Sequence, residues 1–123
     1  VHPVPLIRDD SGTAVAGSAT ITPFEGRDFV GEVIVDDHVL LSGNNELGAR
    51  LVPMLDAPGI AAVRYKRGWF GRVGADMSSL STGRAVQAGG VKLKVTVDGV
   101  DRPRPVDKVT FYRHLRDLQI VRG

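Results

Sequence analysis

The sequence predicts a mainly β fold, an α+β chain with one short helix, whose antiparallel strands and hairpins form a small barrel or sandwich. The 123 residues include fifteen glycines and seven prolines, which implies many turns between short elements. Several runs alternate apolar and polar side chains with the period of two that half-buried strands show. Asp98-Gly99 separates two such runs and is typical of the type I′ turn of a β-hairpin.

Length and composition predict one domain over residues 1–123, because a chain of this size can bury a core without disulfides or metals. The sequence has no cysteine, which excludes thiolate chemistry and suits a reducing compartment. No apolar run approaches the length of a membrane span, and residues 1–5 lack the pattern of a secretory leader. We therefore expect no membrane contact and a location in the cytoplasm or in a virus particle.

The first elements follow from local patterns. Residues 1–12 are predicted to form an extended arm, because their two prolines fix φ and remove backbone donors. A strand is predicted within residues 13–22, which are rich in β-branched side chains. Two apolar runs, 29–35 and 39–41, then predict a hairpin.

The predicted short helix follows residues 42–45, whose side chains are of the type that caps helices. Leu47 and Leu51 recur at helical spacing, and Pro53 ends the helix because it cannot donate a backbone hydrogen bond. Residues 60–65 return to the pattern of a strand.

Residues 74–90 are rich in Gly, Ser and Ala and predict a long flexible loop. The strand predicted at 91–97 shows the clearest alternation of the chain. Val91 begins the face that enters the core, while Lys92 and Lys94 face water or a partner.

The last part of the chain predicts short strands at the edge of a sheet. Residues 100–106 contain two prolines and fit only an edge or an extended crossing. A strand is predicted at 109–112, with 118–121 pairing back onto it. A helical turn within 112–121 is the alternative.

Charge is divided unequally along the chain. Residues 1–63 hold three basic and nine acidic side chains, whereas residues 64–123 hold thirteen and five. The net charges of −6 and +8 sum to the total of +2. If this division survives folding as two surface patches, unlike patches on neighbouring copies attract each other and set their register. If strands from the two halves of the chain interleave on folding, this separation of charge is lost.

This charge pattern favours a structural or adaptor protein that assembles with copies of itself or with other subunits. A subunit of a virus particle, such as a phage head, neck, tail or decoration protein, fits the size and composition. Contacts between unlike patches close into a ring or continue as a lattice.

Nucleic-acid binding is the alternative function. Residues 64–72 interleave four cations with three aromatic side chains, and such surfaces neutralise phosphates and stack on bases. The same residues also fit a hairpin with a solvated charged face. The residues predicted to bind a partner are Arg64, Lys66, Arg67, Trp69, Arg72, Lys92, Lys94, Arg113 and Arg116.

An enzyme is the least favoured class, and we assign no catalytic residue, cofactor, metal or small-molecule ligand. Asp36, Asp37 and His38 have suitable chemistry for a metal or for proton transfer, but neighbouring strand residues point to opposite faces and acidic pairs are common in turns. Phosphate-binding, dinucleotide-binding and nucleophile-elbow patterns are absent from the sequence.

Overall fold

The computed structural model describes residues 6–24, 29–54, 58–67 and 72–114. In these residues the chain forms an antiparallel β-sheet, so the prediction of a mainly β fold is confirmed. The strands are β1 (Leu6–Asp9), β2 (Ala14–Val15), β3 (Ala19–Pro23), β4 (Phe29–Val35), β5 (His38–Glu46), β6 (Ala49–Pro53), β7 (Ile60–Arg67), β8 (Val73–Gly83), β9 (Ala85–Val97), β10 (Val100–Asp101) and β11 (Val106–His114).

Strand β9 connects two parts of the sheet, because its two ends pair with different neighbours. Its first part pairs with β11 on one side and β4 on the other. Its last part, 93–97, pairs with β3, and its end also pairs with β10. The order continues from β2, β1 and β11 through β9 to β3, β6, β7 and β8, and the sheet does not close into a barrel.

Both parts of the sheet contribute to one hydrophobic core. Ile7 and Phe111 come from β1 and β11, whereas Ile21 and Leu51 come from β3 and β6, and all four are fully buried in one cluster. Side chains of this size each stabilise the fold by about 2 kcal/mol through removal of apolar area from water. The part of the chain that the structure describes contains no helix long and apolar enough to cross a membrane.

The predicted helix is wrong, because residues 42–46 belong to β5 and residues 49–52 belong to β6. Gly48 lies between these strands with a φ of +111°, and a Cβ at this position would clash with the carbonyl oxygen of Ile21. The backbone therefore lies against β3 as a sheet partner. Tertiary pairing outweighs the helical spacing of Leu47 and Leu51.

The predicted flexible loop at 74–90 is also wrong, since it forms most of β8 and the start of β9. The pairing of β7 with β8 moves from Ala62–Ser81 to Arg64–Asp76, so residues 77–80 all lie opposite one residue. This long bulge interrupts the alternation of side chains, which explains why the sequence pattern did not predict a strand.

Two smaller predictions need correction. Val91 is exposed rather than in the core, because β9 changes direction at Lys92, where φ is +50°. The predicted arm becomes strand β1 from Leu6 onward and pairs with β2 and β11. Residues 1–5 and the predicted return strand at 118–121 lie outside the described residues.

Two predicted hairpins are confirmed, at Asp98-Gly99 and between residues 29–35 and 39–41. Asp98 and Gly99 have φ values of +51° and +82° and join β9 to β10, as a type I′ turn requires. The hairpin of β4 and β5 turns at Asp36, whose φ is +55°.

Candidate functional site

A buried aspartate organises the corner where β1 turns toward β2. Asp9 Oδ2 accepts a hydrogen bond from an Arg102 terminal nitrogen at 2.7 Å, and Asp10 Oδ1 accepts from the same nitrogen at 2.9 Å. Asp9 Oδ1 accepts the Ser11 hydroxyl at 2.6 Å and the backbone N–H groups of Ser11 and Thr13 at 3.0 and 2.9 Å. The Asp9 side chain is fully buried and that of Arg102 is 20% exposed, so this ion pair is largely shielded from water.

The charges of this pair are held in place by opposing effects. Burial raises the pKa of Asp9, but the hydrogen bonds from Arg102 and Ser11 outweigh it and keep the pKa below its usual value. Burial lowers the pKa of Arg102, whereas the carboxylates of Asp9 and Asp10 raise it by more. Both groups therefore stay ionised at neutral pH.

A groove of ≈ 400 Å³ opens beside this ion pair. Its lining combines three apolar side chains with hydroxyl, carboxylate and guanidinium groups. Its volume lies within the range of sites that bind small molecules. The groove is lined by Asp9, Ser11, Thr13, Val97, Val100, Asp101, Arg102 and Pro103.

Asp101 is the most accessible carboxylate of the groove, with a half-exposed side chain. Its Oδ1 accepts the Thr96 hydroxyl at 2.7 Å, and its Oδ2 lies 3.1 Å from Lys94 Nζ. The Thr96 and Lys94 side chains hold the pKa of Asp101 below its usual value. Asp101 is therefore an ionised acceptor that a ligand hydroxyl can reach.

A second aspartate organises the pairing of β7 with β8. Arg64 Nε lies 3.1 Å and Lys66 Nζ 3.7 Å from the carboxylate of Asp76. The side chain of Asp76 is 7% exposed, whereas those of Arg64 and Lys66 are 43% and 62% exposed. The carboxylate is therefore covered by two cations that remain accessible to solvent.

The bulge at 77–80 is tied to the same carboxylate. Asp76 Oδ1 accepts the Ser78 hydroxyl at 2.6 Å and the Ser78 N–H at 3.2 Å. The Ser79 hydroxyl donates to the Asp76 carbonyl at 2.6 Å and accepts from the Arg64 N–H at 2.9 Å. Hydrogen bonds from Ser78 and Arg64 lower the pKa of Asp76 to about 2.

The structure brings only part of the predicted partner-binding set together. Arg64 and Lys66 share Asp76. Arg67 is the last residue of β7 and Arg72 directly precedes β8, and both are exposed. We use the name basic edge for the group Arg64, Lys66, Arg67 and Arg72. Trp69 and Arg116 lie outside the described residues.

The other predicted cations lie elsewhere. Lys92 is exposed where β9 changes direction, and Lys94 is bound to Asp101 beside the groove. Arg113 is half-buried on β11, and a Cβ added to Gly59 would lie 2.6 Å from its Cδ, so its side chain lies against the turn before β7. These three residues do not extend the basic edge.

The sequence did not predict either aspartate as the centre of a hydrogen-bond network. They share a local pattern, because Asp9-Asp10-Ser11 and Asp76-Met77-Ser78 each place a serine two residues after the aspartate. Such spacing lets an aspartate accept from a backbone N–H and a hydroxyl in a turn. This pattern predicts a turn but not the arginine that joins it.

Asp36, the candidate for metal or acid–base chemistry, has a structural contact. Its Oδ1 accepts the N–H groups of Arg84 and Ala85 at 3.0 and 3.1 Å, which joins the β4–β5 turn to the start of β9. Among residues 6–24, 29–54, 58–67 and 72–114, no group of three or more His, Asp or Glu side chains is placed to hold a metal ion.

Comparison with known proteins identifies a fold but not a family. No protein-family model matches the chain, and no curated protein matches it. Among solved structures, the chain is similar to an NAD kinase from Archaeoglobus fulgidus in complex with ATP, with a TM-score of 0.56 and 10% sequence identity. The likeness covers 98% of this chain and 58% of that chain.

This likeness corrects the predicted function. A structural or adaptor role in a virus particle is wrong, because the fold that the chain shares is found in an enzyme, an NAD kinase. The charge pattern behind that prediction is also partly lost on folding, since Arg102 of the basic half binds Asp9 and Asp10 of the acidic half. Self-association and contact with nucleic acid are not tested by the comparison and stay predictions.

Proposed function

We propose that this chain is the β-sheet part of a nucleotide-using phosphotransferase and that its groove receives the nucleoside portion of a ligand. The observation that carries the proposal is the fold similarity to an NAD kinase in complex with ATP over 98% of this chain. Because the chain spans 58% of that enzyme chain, the proposal assigns it a ligand-binding contribution rather than the complete reaction.

The chemistry of the groove supports a nucleoside. Val97, Val100 and Pro103 offer an apolar wall against which a flat base can pack. The accessible carboxylate of Asp101 also lines the groove and is an acceptor for ribose hydroxyl groups, the role that acidic side chains play in many nucleotide sites. Ser11 and Thr13, which carry hydroxyl groups, line the groove as well.

The groove is less suited to phosphate groups. Arg102 is its cation, and two carboxylates already bind it. A nucleotide in the groove therefore directs its phosphates away from Asp9 and Asp101, toward solvent or toward another part of an enzyme. The chain is expected to bind adenosine about as well as ATP, because the phosphates gain little from these carboxylates.

The test is a titration of isotope-labelled protein with adenosine, ATP and NAD, followed by nuclear magnetic resonance of the backbone amides. We expect adenosine and ATP to shift the signals of Ser11, Thr13 and residues 97–102. The substitution Val100→Asp places a charge on the apolar wall and should weaken adenosine binding by about tenfold or more.

Val39→Asp is the matched control, because Val39 is also an exposed valine but lies on β5, away from the groove. It should leave adenosine affinity unchanged. Shifts that cluster outside the groove, or equal loss of affinity in both variants, would overturn the assignment of the groove. Absence of any shift with all three ligands would overturn nucleoside binding by this chain.

A further inference from the structure

The outer strand of the sheet exposes a row of aliphatic side chains. β8 ends the strand order, and no other strand of the described residues pairs with its outer side. Val73, Met77 and Leu80 on this strand are 53%, 65% and 51% exposed. Three large apolar side chains on one edge strand favour an interaction surface, since exposed edges are normally protected by charge or cover.

Met77 and Leu80 are exposed because they lie in a bulge that is held by side-chain hydrogen bonds. Both lie in the bulge at 77–80, which the hydroxyls of Ser78 and Ser79 bind to Asp76 and to the backbone of Arg64. A further bond joins the Ser81 hydroxyl to the Ser79 carbonyl at 3.0 Å. These bonds hold the serine side chains of the bulge, while its two apolar side chains, Met77 and Leu80, stay exposed.

The basic edge lies directly beside these apolar side chains. In the pairing of β7 with β8, Arg67 is opposite Val73 and Arg64 is opposite Asp76, the neighbour of Met77. Directly opposed strand residues lie about 5 Å apart. Arg64 and Arg67 thus lie beside the exposed aliphatic residues. The four cations of the basic edge outnumber the one carboxylate of Asp76, so this edge has a net positive charge.

We propose that the β7–β8 edge docks on an anionic lipid bilayer, with Met77 and Leu80 entering the boundary between headgroups and acyl chains. The basic edge then contacts the lipid phosphates. This inference is independent of the groove and its ligand. It departs from the expectation of no membrane contact, which was based on the lack of a spanning segment.

Two features favour a bilayer over other anionic partners. Cations beside aliphatic side chains match the layered order of a membrane surface, where charge lies outside and hydrocarbon lies a few ångströms deeper. Nucleic acid would also take up the cations, but aliphatic side chains enter it by unstacking neighbouring bases, a cost that insertion between lipids does not carry. Each Lys or Arg near an anionic membrane surface increases the affinity about fivefold.

The experiment measures co-sedimentation of the 123-residue chain with vesicles of phosphatidylcholine alone and of phosphatidylcholine mixed with phosphatidylglycerol. We expect binding to the mixed vesicles that weakens with salt, and much weaker binding to the neutral ones. Trp69, the one tryptophan of the chain, provides a fluorescence signal for the same titration.

Two double variants separate the apolar and electrostatic contributions. Met77→Ser with Leu80→Ser removes apolar area without changing charge and should lower the affinity for mixed vesicles by about tenfold or more. Arg67→Gln with Arg72→Gln should lower it by about 25-fold, because two cations are lost. Circular dichroism checks that both variants remain folded.

Each variant has a matched control elsewhere on the surface. Val39→Ser with Val91→Ser removes two other exposed aliphatic side chains, and Arg104→Gln with Lys108→Gln removes two other exposed cations. Neither should lower vesicle affinity as far as its counterpart. Equal losses in variants and controls, or full binding by the Met77 and Leu80 variant, would overturn the proposal. Salt-sensitive binding of an oligonucleotide without vesicle binding would overturn it in favour of nucleic acid.

Discussion

Asp9 and Asp76 have the same local bonding but opposite surroundings. Each accepts the hydroxyl of the serine two residues later at 2.6 Å, the N–H of that serine, and a nitrogen of an arginine. The arginine at Asp9 is 20% exposed and that at Asp76 is 43% exposed. One arrangement is closed to solvent and the other presents its cation outward.

The difference also concerns distance along the chain. Asp9 and Arg102 are 93 residues apart, so their pair joins β1 to the segment after β10. Asp76 and Arg64 are 12 residues apart and belong to neighbouring strands of one hairpin. The same chemistry therefore connects distant parts of the fold at Asp9, but shapes a local surface at Asp76.

Loss of the buried ion pair between Asp9 and Arg102 should reduce the free energy of unfolding more than any other change considered for these two aspartates. Asp9→Asn leaves the guanidinium of Arg102 with the partly exposed Asp10 as its remaining carboxylate. Removing one partner of a buried ion pair is strongly destabilising, and we expect a loss of about 3 kcal/mol in the free energy of unfolding. Urea denaturation monitored by circular dichroism measures this loss.

Asp10→Asn is its control, because Asp10 binds the same nitrogen of Arg102 from a side chain that is 45% exposed. Its loss should stay below about 1 kcal/mol, as for other solvent-exposed ion pairs. Similar losses in the two variants would show that burial does not distinguish these carboxylates.

This comparison also explains which parts of the molecule the sequence could predict. Features defined by neighbouring residues could be predicted, such as the Asp98-Gly99 hairpin and the cations of the basic edge. The pair of Asp9 with Arg102 was not, because no local pattern connects residues 93 positions apart. The groove beside that pair depends on the same long-range contact.

The incorrect elements have physical reasons of the same kind. The bulge at 77–80 satisfies its polar groups with serine hydroxyls instead of continuous pairing, so its sequence resembles a loop. Gly48 is held against β3, a contact that outweighs the helical spacing around it. In both places the tertiary partner, and not local propensity, decides the conformation.

The next effect concerns acid stability. The pKa of Asp76 is lowered from 3.8 to about 2 in the folded protein. A lowered pKa contributes stability that is complete above the unfolded value of 3.8 and is lost as the pH falls to about 2. Asp76→Asn should therefore flatten the decline of the thermal midpoint across this pH interval, as measured by differential scanning calorimetry.

Asp37→Asn provides a control for that measurement, since Asp37 is an exposed turn residue. Its profile should keep the slope of the unchanged protein. An unchanged slope in the Asp76 variant would mean that the cations and serines around this carboxylate do not favour its ionised form.

Serine-to-alanine variants test how the serine hydroxyl contributes at Asp9 and at Asp76. Ser11→Ala removes a hydrogen bond to the buried carboxylate of Asp9 and should cost about 1 kcal/mol. Ser78→Ala removes the largest influence on Asp76 and should raise the pKa of that carboxyl from about 2 toward 3.8. Denaturation measures the first effect, and a carboxyl titration by nuclear magnetic resonance measures the second. A Ser78 variant whose Asp76 still titrates near the original value would assign the lowered pKa to Arg64 and Lys66 instead.

Substitution of Arg67 and Arg72 should change the stability least, and it tests whether these cations of the basic edge contribute to the fold. Arg67 and Arg72 are exposed, and among the described residues neither lies in an ion pair. Replacing both with Gln should change the free energy of unfolding by no more than about 0.5 kcal/mol, as for most surface substitutions. Arg64→Gln, which removes the bond to the buried Asp76, should destabilise the protein more than this double variant in the same urea experiment. If the double variant is the less stable of the two, the basic edge supports the fold, and the contrast between a closed pair at Asp9 and an open one at Asp76 fails.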